Sequence, residues 1–207
     1  MERTLFISRG DLKLEARLSP GGPDGVVLCH PHPRYGGSMD VPVVVALQRA
    51  LAQAGHATLR FNFRGVGAST GASTGGAEEV ADVLAALDYL REDVTPAPES
   101  IWLAGYSYGA WLAHRAAAED RGVAGLALLA PPVTLYPLDR VDELDIPILV
   151  LTGDTDTYAP PQDVLAAVGA KAGRDVQVIA GCDHFYFGFE RDAAHRVATF
   201  ISGAGRR

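Results

Sequence analysis

The N-terminal part of the chain alternates apolar and polar residues in two short runs. Every second residue from Leu12 to Leu18 is apolar, and the residues between them are charged. This period of two is typical of a strand with one face in water. A run at residues 4–8 precedes it, across a turn centred on Gly10. The two runs predict an antiparallel hairpin at one edge of a sheet.

After the hairpin, short apolar runs alternate with segments of helical period. Residues 78–91 show the helical pattern, with Val80, Val83, Leu84 and Leu87 on one face and acidic residues near the start. A continuous apolar run instead suits a strand that is covered on both faces. The remaining predicted strands are residues 26–29, 58–63, 101–104, 123–129, 146–151 and 176–180. The predicted helices are residues 42–54, 78–91, 110–119, 161–171 and 189–201.

This alternation of strands and helices predicts an α/β fold. The expected architecture is a mostly parallel, eight-stranded sheet with helices on both faces and antiparallel pairing at one edge. No internal repeat, linker or break in composition divides the sequence. The chain is therefore expected to form one domain over residues 1–207, which is long enough to bury a substantial core.

Composition and charge exclude several classes of function. Apolar residues make up 48% of the chain and charged residues 21%, which argues against disorder. The net charge of −7 is spread without a basic cluster, so nucleic-acid binding has no support. No apolar run approaches the roughly 20 residues that span a membrane. Two cysteines, Cys29 and Cys182, form no disulfide framework, and the first residues lack a signal-peptide pattern, so we expect a cytoplasmic protein.

A candidate nucleophile lies at residues 105–109, which read Gly-Tyr-Ser-Tyr-Gly. This G-x-S-x-G pattern follows a predicted strand and precedes a predicted helix, as a nucleophile on a sharp turn requires. The turn is so tight that side chains two positions from Ser107 would collide with the strand and the helix, which explains Gly105 and Gly109. The N–H of Tyr108, at the start of the helix, is then placed to stabilise an oxyanion.

A serine hydroxyl needs a base to remove its proton, and three histidines follow Ser107 in the chain. His114 lies two turns along the next helix and is expected to point away from the hydroxyl. His195 lies inside the last predicted helix and is expected at the surface or in packing. His184 follows the last predicted strand in a loop that can reach back over the sheet, so we assign it as the base.

The acid that orients the base is expected after the strand that ends at residue 151, because the chain order is serine, acid, histidine. The loop there reads Gly153-Asp154-Thr155-Asp156. On chemistry alone either aspartate fits. Asp154 could equally organise the turn by accepting from nearby backbone N–H groups.

The segment after Cys29 reads His-Pro-His-Pro-Arg-Tyr and is the source of a second oxyanion donor. Both prolines lack an N–H, so the first candidate is the backbone of His32, with Arg34 or Tyr35 behind it. Zinc binding by the two histidines of this segment together with His184 is a weaker alternative. A Gly-Val-Gly run at residues 65–67 does not complete the dinucleotide pattern. We therefore expect no metal and no nucleotide cofactor.

These motifs together resemble the α/β-hydrolase superfamily, and more narrowly the small bacterial, cap-less hydrolases related to dienelactone hydrolases. The resemblance rests on residues 30–39, 60–69, 105–109 and 153–156, and on Asp183-His184-Phe185. In such enzymes the acid matches the last position of a Gly-x-x-Asp pattern followed by proline, which implies Asp156 rather than Asp154. Dienelactone hydrolases proper carry cysteine where this chain has Ser107, so their substrate is not implied.

The resemblance implies a serine hydrolase that cleaves small carboxylic esters through an acyl-enzyme. A peptidase or thioesterase with the same three residues is the alternative, and a non-catalytic binding protein of the same fold is a further one. The segment from Ala130 to Asp145, where lids usually enter, is only 16 residues long, so we expect an open site. Tyr158 and Phe185 are expected to line an apolar substrate pocket, among other aromatic residues. The expected partner is a small-molecule ester, and the sequence predicts no oligomeric state.

Overall fold

A computed structural model describes residues 2–204, and it contains one sheet of eight strands. The strands run in the order β1-β2-β4-β3-β5-β6-β7-β8. β1 pairs antiparallel with β2 and β2 antiparallel with β4, while all other pairs are parallel. The strands are β1 (Arg3–Arg9), β2 (Leu12–Ser19), β3 (Asp24–Cys29), β4 (Ala57–Phe61), β5 (Ser100–Tyr106), β6 (Val123–Leu129), β7 (Ile148–Gly153) and β8 (Arg174–Ile179). The predicted edge hairpin and the mostly parallel sheet are confirmed.

Five α-helices cover the two faces of the sheet, and helix α1 packs against α5 while α2 packs against α3. They are α1 (Pro42–Gln53), α2 (Val80–Glu92), α3 (Tyr108–Glu119), α4 (Pro161–Val168) and α5 (Glu190–Ala204). Short 3-10 turns at Pro33–Tyr35, Ala77–Glu79 and Val141–Glu143 were not predicted. No helix within residues 2–204 combines the length and apolar character needed to cross a bilayer. The predicted domain bounds also take in residues 1 and 205–207, which lie outside the described residues.

The four strands β3, β5, β6 and β7 form the centre of the core, since almost all of their residues are buried. This burial on both faces explains why these strands read as continuous apolar runs. Their carboxyl ends meet at one edge of the sheet, and the two strands that follow β3 in the chain, β4 and β5, lie on opposite sides of it. In open α/β sheets a ligand site is expected at this position.

Several element boundaries differ from the sequence prediction for local reasons. β4 ends at Phe61 rather than residue 63, and the N–H of Phe63 donates to the ring of His30 instead of to a neighbouring strand. α3 begins at Tyr108, two residues earlier than predicted. α4 ends at Val168, where Gly169 takes a positive φ of 69°.

Candidate active site

Ser107 lies on the strained turn that the sequence predicted. Its backbone has φ 56° and ψ −120°, outside the regions that ordinary residues favour, between the end of β5 and the start of α3. A Cβ added to Gly105 would lie 2.3 Å from Gly109 O, and one added to Gly109 would lie 2.3 Å from Cys29 O. Only glycine fits either position, because the Cβ of any other residue would collide with these backbone oxygens.

The side chains of Ser107, His184 and Asp156 form one connected hydrogen-bonded line. Ser107 Oγ lies 2.9 Å from His184 Nε2, and His184 Nδ1 lies 2.9 Å from Asp156 Oδ2. Ser107 and Asp156 are 8% and 3% exposed, so solvent reaches the serine while the carboxylate lies below the surface. This arrangement can carry a proton from the serine hydroxyl to the imidazole, with the carboxylate holding the ring.

The structure separates the two aspartates that the sequence left open. Asp156 Oδ1 accepts from the N–H groups of Tyr158 and Ala159, each at 2.8 Å, which fixes the carboxylate toward His184. Asp154 Oδ1 instead accepts from the N–H of Gly181 at 2.8 Å and joins the two loops. Asp154 therefore organises the loop, as its alternative role suggested, and Asp156 faces the imidazole.

The loop that carries His184 is held by neighbouring elements. The hydroxyl of Tyr106 donates to the carbonyl oxygen of His184 at 2.8 Å, and the hydroxyl of Thr155 donates to Cys182 O at 2.8 Å. A Cβ added to Gly153 would lie 2.0 Å from Cys182 O, so the acid loop and the histidine loop touch backbone to backbone. The glycine that precedes the acid is therefore required by this close approach.

The other downstream histidines lie away from the hydroxyl. His195 is exposed on α5, and His114 is buried on α3 with its Nε2 atom 3.6 Å from Asp139. His30, which precedes the site, is also buried. Its Nε2 accepts from the N–H of Phe63 at 3.1 Å, so Nδ1 carries the proton and donates to Pro31 O at 2.6 Å. Both ring nitrogens of His30 are thus used within the protein, which leaves none for a metal ion.

The two residues predicted to supply the oxyanion donors, His32 and Tyr108, are in contact through their side chains. The rings of His32 and Tyr108 contact each other with centroids 4.5 Å apart. Neither backbone N–H donates to an acceptor within residues 2–204. The alternative donors are occupied, because the N–H of Arg34 donates to His32 Nδ1 and that of Tyr35 to His32 O. Of the N–H groups weighed in this loop, that of His32 is therefore the available one.

A cavity of about 400 Å³ opens above Ser107 and His184. Tyr158 and Phe185, the two residues predicted to line a substrate pocket, lie in its wall. So do Tyr106, Tyr108 and Tyr136, whereas Tyr186 is buried elsewhere with its hydroxyl on Leu151 O. Sequence reasoning missed the lining residues Tyr35, Val41, Val43, Leu135, Phe187 and Glu190. A signal was present for Phe187, which continues the aromatic run after His184.

The thiol of Cys182, two residues before His184, is not exposed at the site. The side chain is buried beneath the histidine loop, and its Sγ lies 3.3 Å from Asp183 O. Burial, with Asp183 and Asp156 nearby, raises the pKa of this thiol to about 11. Cys29 is buried in β3. Within residues 2–204, no three histidine, cysteine or acidic side chains cluster closely enough to bind a metal ion.

A serine, histidine and aspartate at the carboxyl ends of parallel strands, with the serine on a strained strand-to-helix turn, define the class of α/β hydrolases. The comparison with known families agrees, because residues 25–200 match the family described as alpha/beta hydrolase domain. The chain belongs to the α/β-hydrolase family. An uncharacterized protein of Rickettsia prowazekii (strain Madrid E) is 35% identical over 177 residues, covering 81% of this chain and 74% of the relative.

Solved structures of similar proteins share the whole fold. An alpha-beta serine hydrolase homologue from Coxiella burnetii is 32% identical with a TM-score of 0.85, covering 94% of this chain and 96% of that one. A serine hydrolase from Xanthomonas campestris, described as lacking a lid, is 28% identical with a TM-score of 0.86, covering 97% and 94%. This chain also lacks a cap, since between β6 and β7 it forms only the 3-10 turn Val141–Glu143.

Proposed function

We propose that this chain is a serine carboxylesterase that hydrolyses small carboxylic esters through an acyl-enzyme. The observation that carries the proposal is the unbroken contact from Ser107 Oγ through the His184 ring to Asp156, at the base of an open cavity. The cavity is mainly apolar and aromatic, which suits the uncharged body of a small ester.

The proposed reaction begins when His184 Nε2 takes the hydroxyl proton of Ser107 and Oγ attacks the ester carbonyl carbon. The N–H groups of His32 and Tyr108 donate to the oxyanion of the tetrahedral intermediate. His184 then gives its proton to the leaving alcohol as the C–O bond breaks and the acyl-enzyme forms. Water, deprotonated by His184, attacks the acyl-enzyme, releases the carboxylic acid and restores Ser107. Each oxyanion donor is expected to lower the barrier by about 3 kcal/mol.

A panel of p-nitrophenyl esters of increasing acyl length tests the proposal, measured beside a matched p-nitroanilide and a thioester. We expect ester turnover well above amide turnover, and labelling of Ser107 by a fluorophosphonate. Ser107→Ala should abolish both. Faster anilide or thioester cleavage would favour the peptidase or thioesterase alternative, and no labelling at all would favour a binding protein.

The two aspartates supply a matched pair of variants for the same assay. In Asp156→Asn the amide can still accept from the N–H groups of Tyr158 and Ala159, but its NH₂ then faces His184 Nδ1 and favours the wrong tautomer. We expect kcat to fall by about 10³- to 10⁴-fold. Asp154→Asn keeps the acceptor for Gly181 and should change kcat little.

A further inference from the structure

The side chains that line the cavity carry fixed charge of one sign only. Among residues 2–204, Glu190 is the only acidic residue in the lining, and no lysine or arginine lines it. The imidazole of His32 also lines the wall, and burial beside Arg34 lowers its pKa, which favours the neutral ring. A ligand in this cavity therefore meets one fixed negative charge and no fixed positive one.

Glu190 has no partner that would neutralise it. Within residues 2–204, no basic side chain lies within salt-bridge distance of its carboxylate, and no group donates a hydrogen bond to it. The other acid in the first turn of α5, Asp192, is paired with Arg196 at 3.0 Å. The carboxylate of Glu190 is therefore free to interact with a ligand in the cavity, and its place in the first turn of α5 also favours the charged form through the helix dipole.

Further acidic residues lie near the cavity on the side of Tyr106. Asp183 and Asp156 lie close enough, with Glu190, to raise the pKa of the Tyr106 phenol further than burial does alone. Arg34, whose positive charge acts on His32 and Tyr136 in the wall, donates to Thr74 O and does not itself line the cavity. The chain as a whole carries a net charge of −7. A cleft with charges of one sign and low-dielectric walls concentrates ligands of the opposite sign.

The walls around this charge are aromatic and partly exposed. Five of the eight large apolar side chains that are exposed within residues 2–204 line this one cavity, namely Tyr35, Leu135, Tyr158, Phe185 and Phe187. The faces of aromatic rings attract cations, with quaternary ammonium groups as the best-known ligands. Exposed apolar area at a cavity mouth indicates a ligand that extends onto the rim.

We propose that the site selects esters by charge, preferring a cationic ester, such as one with a quaternary ammonium group, over neutral and anionic esters of the same shape, with Glu190 as the specificity-determining residue. This inference rests on the proposed esterase function. A cation gains attraction from Glu190 and from the aromatic rim, whereas an anion must approach an unpaired carboxylate with no arginine or lysine to receive it.

A matched set of p-nitrophenyl esters tests the inference. The acyl groups are 4-trimethylammoniobutanoate, its uncharged carbon isostere 5,5-dimethylhexanoate, and glutarate with its free carboxylate. A second pair places the charge in the alcohol, as acetylcholine against 3,3-dimethylbutyl acetate. In at least one of the two series we expect kcat/KM for the cation to exceed that of the isostere by about fivefold to tenfold, consistent with one partly exposed charge interaction. The glutarate ester should be the slowest of its series.

Two variants identify the origin of the preference. Glu190→Gln should bring the cation-to-neutral ratio close to one, while Asp192→Asn removes the same charge from the same helix turn outside the cavity and should leave the ratio unchanged. A ratio near one for wild type in both series, or a ratio unchanged by Glu190→Gln, overturns the inference. If the charge preference is absent but neutral esters are hydrolysed, the esterase proposal stands and only the inference about charge fails. If wild type cleaves no ester and a fluorophosphonate does not label Ser107, both proposals fail together.

Discussion

The buried imidazole of His30 donates from Nδ1 to the carbonyl oxygen of Pro31 at 2.6 Å. That carbonyl belongs to the same peptide unit as the N–H of His32, the proposed oxyanion donor. Because a peptide unit is planar and trans, holding its oxygen on one side directs its N–H to the other. A Cβ added to Gly37 would lie 2.0 Å from the same oxygen, so the unit is confined from a second direction. His30 is thus a positioning residue for the proposed oxyanion hole.

Two substitutions separate the two hydrogen bonds of His30. The amide of His30→Asn can reach the place of Nδ1 and still donate to Pro31 O, whereas His30→Gln can replace only the Nε2 acceptor for Phe63. We expect His30→Asn to retain most of kcat, and His30→Gln to lose about tenfold or more, with KM nearly unchanged in both. Thermal unfolding of both variants checks that they are folded. Equal kcat values for the two would contradict the positioning role.

The hydroxyl of Tyr106 supports the base through the His184 backbone. Tyr106→Phe removes the donor to His184 O while keeping the ring, and should cost about 1 kcal/mol of stability. We expect kcat to fall by roughly tenfold, because the imidazole loses part of the support that aligns it with Ser107. Steady-state kinetics with one p-nitrophenyl ester measures this. Tyr89→Phe, on α2 away from the site, is the control and should change kcat little.

The close approach of Gly153 to Cys182 predicts that a larger residue at position 153 would lower both stability and activity. Gly153→Ala would place a methyl group 2.0 Å from Cys182 O, so the acid and histidine loops must separate. We expect the free energy of unfolding to fall by about 1–3 kcal/mol and the activity to fall more than the stability loss explains. Gly203→Ala, where an added Cβ meets nothing within 4 Å, should not destabilise the protein. Full activity in Gly153→Ala would show that the loops tolerate the shift.

Stability should decrease in mild acid because two histidines are buried in the neutral form. Burial lowers the pKa of His114 to about 4, and burial likewise lowers the pKa of His30 to about 4. A depressed folded-state pKa means that the unfolded chain binds more protons below its own pKa of about 6.5, so stability falls as the pH drops from there toward 4. Each histidine contributes a slope of about 1.4 kcal/mol per pH unit in that window.

Urea denaturation between pH 7 and pH 5 measures this slope, and His114 supplies the variant because it lies outside the site. His114→Leu should reduce the slope by about 1.4 kcal/mol per pH unit. His195→Leu changes an exposed histidine on α5 and serves as the comparison. An identical slope in wild type and His114→Leu would mean that His114 is protonated in the folded state.

The amino-acid sequence by itself determined the alternation of strands and helices, the edge hairpin, the serine turn with its two glycines, and the loop that carries the acid between Ser107 and His184. These features depend on the period of apolar residues and on steric limits within a few residues of chain, which are local. The preference for Asp156 over Asp154 needed the family resemblance, since both side chains have the same chemistry and lie two positions apart.

Only the tertiary structure decided what distant segments do to one another. It assigned Asp154 to the N–H of Gly181 and buried Cys182 beneath the histidine loop. It also brought Glu190 into the wall of the cavity. Each of these outcomes depends on how loops separated by tens of residues pack at one edge of the sheet. No local period encodes that packing, because it is set by the whole core beneath the loops.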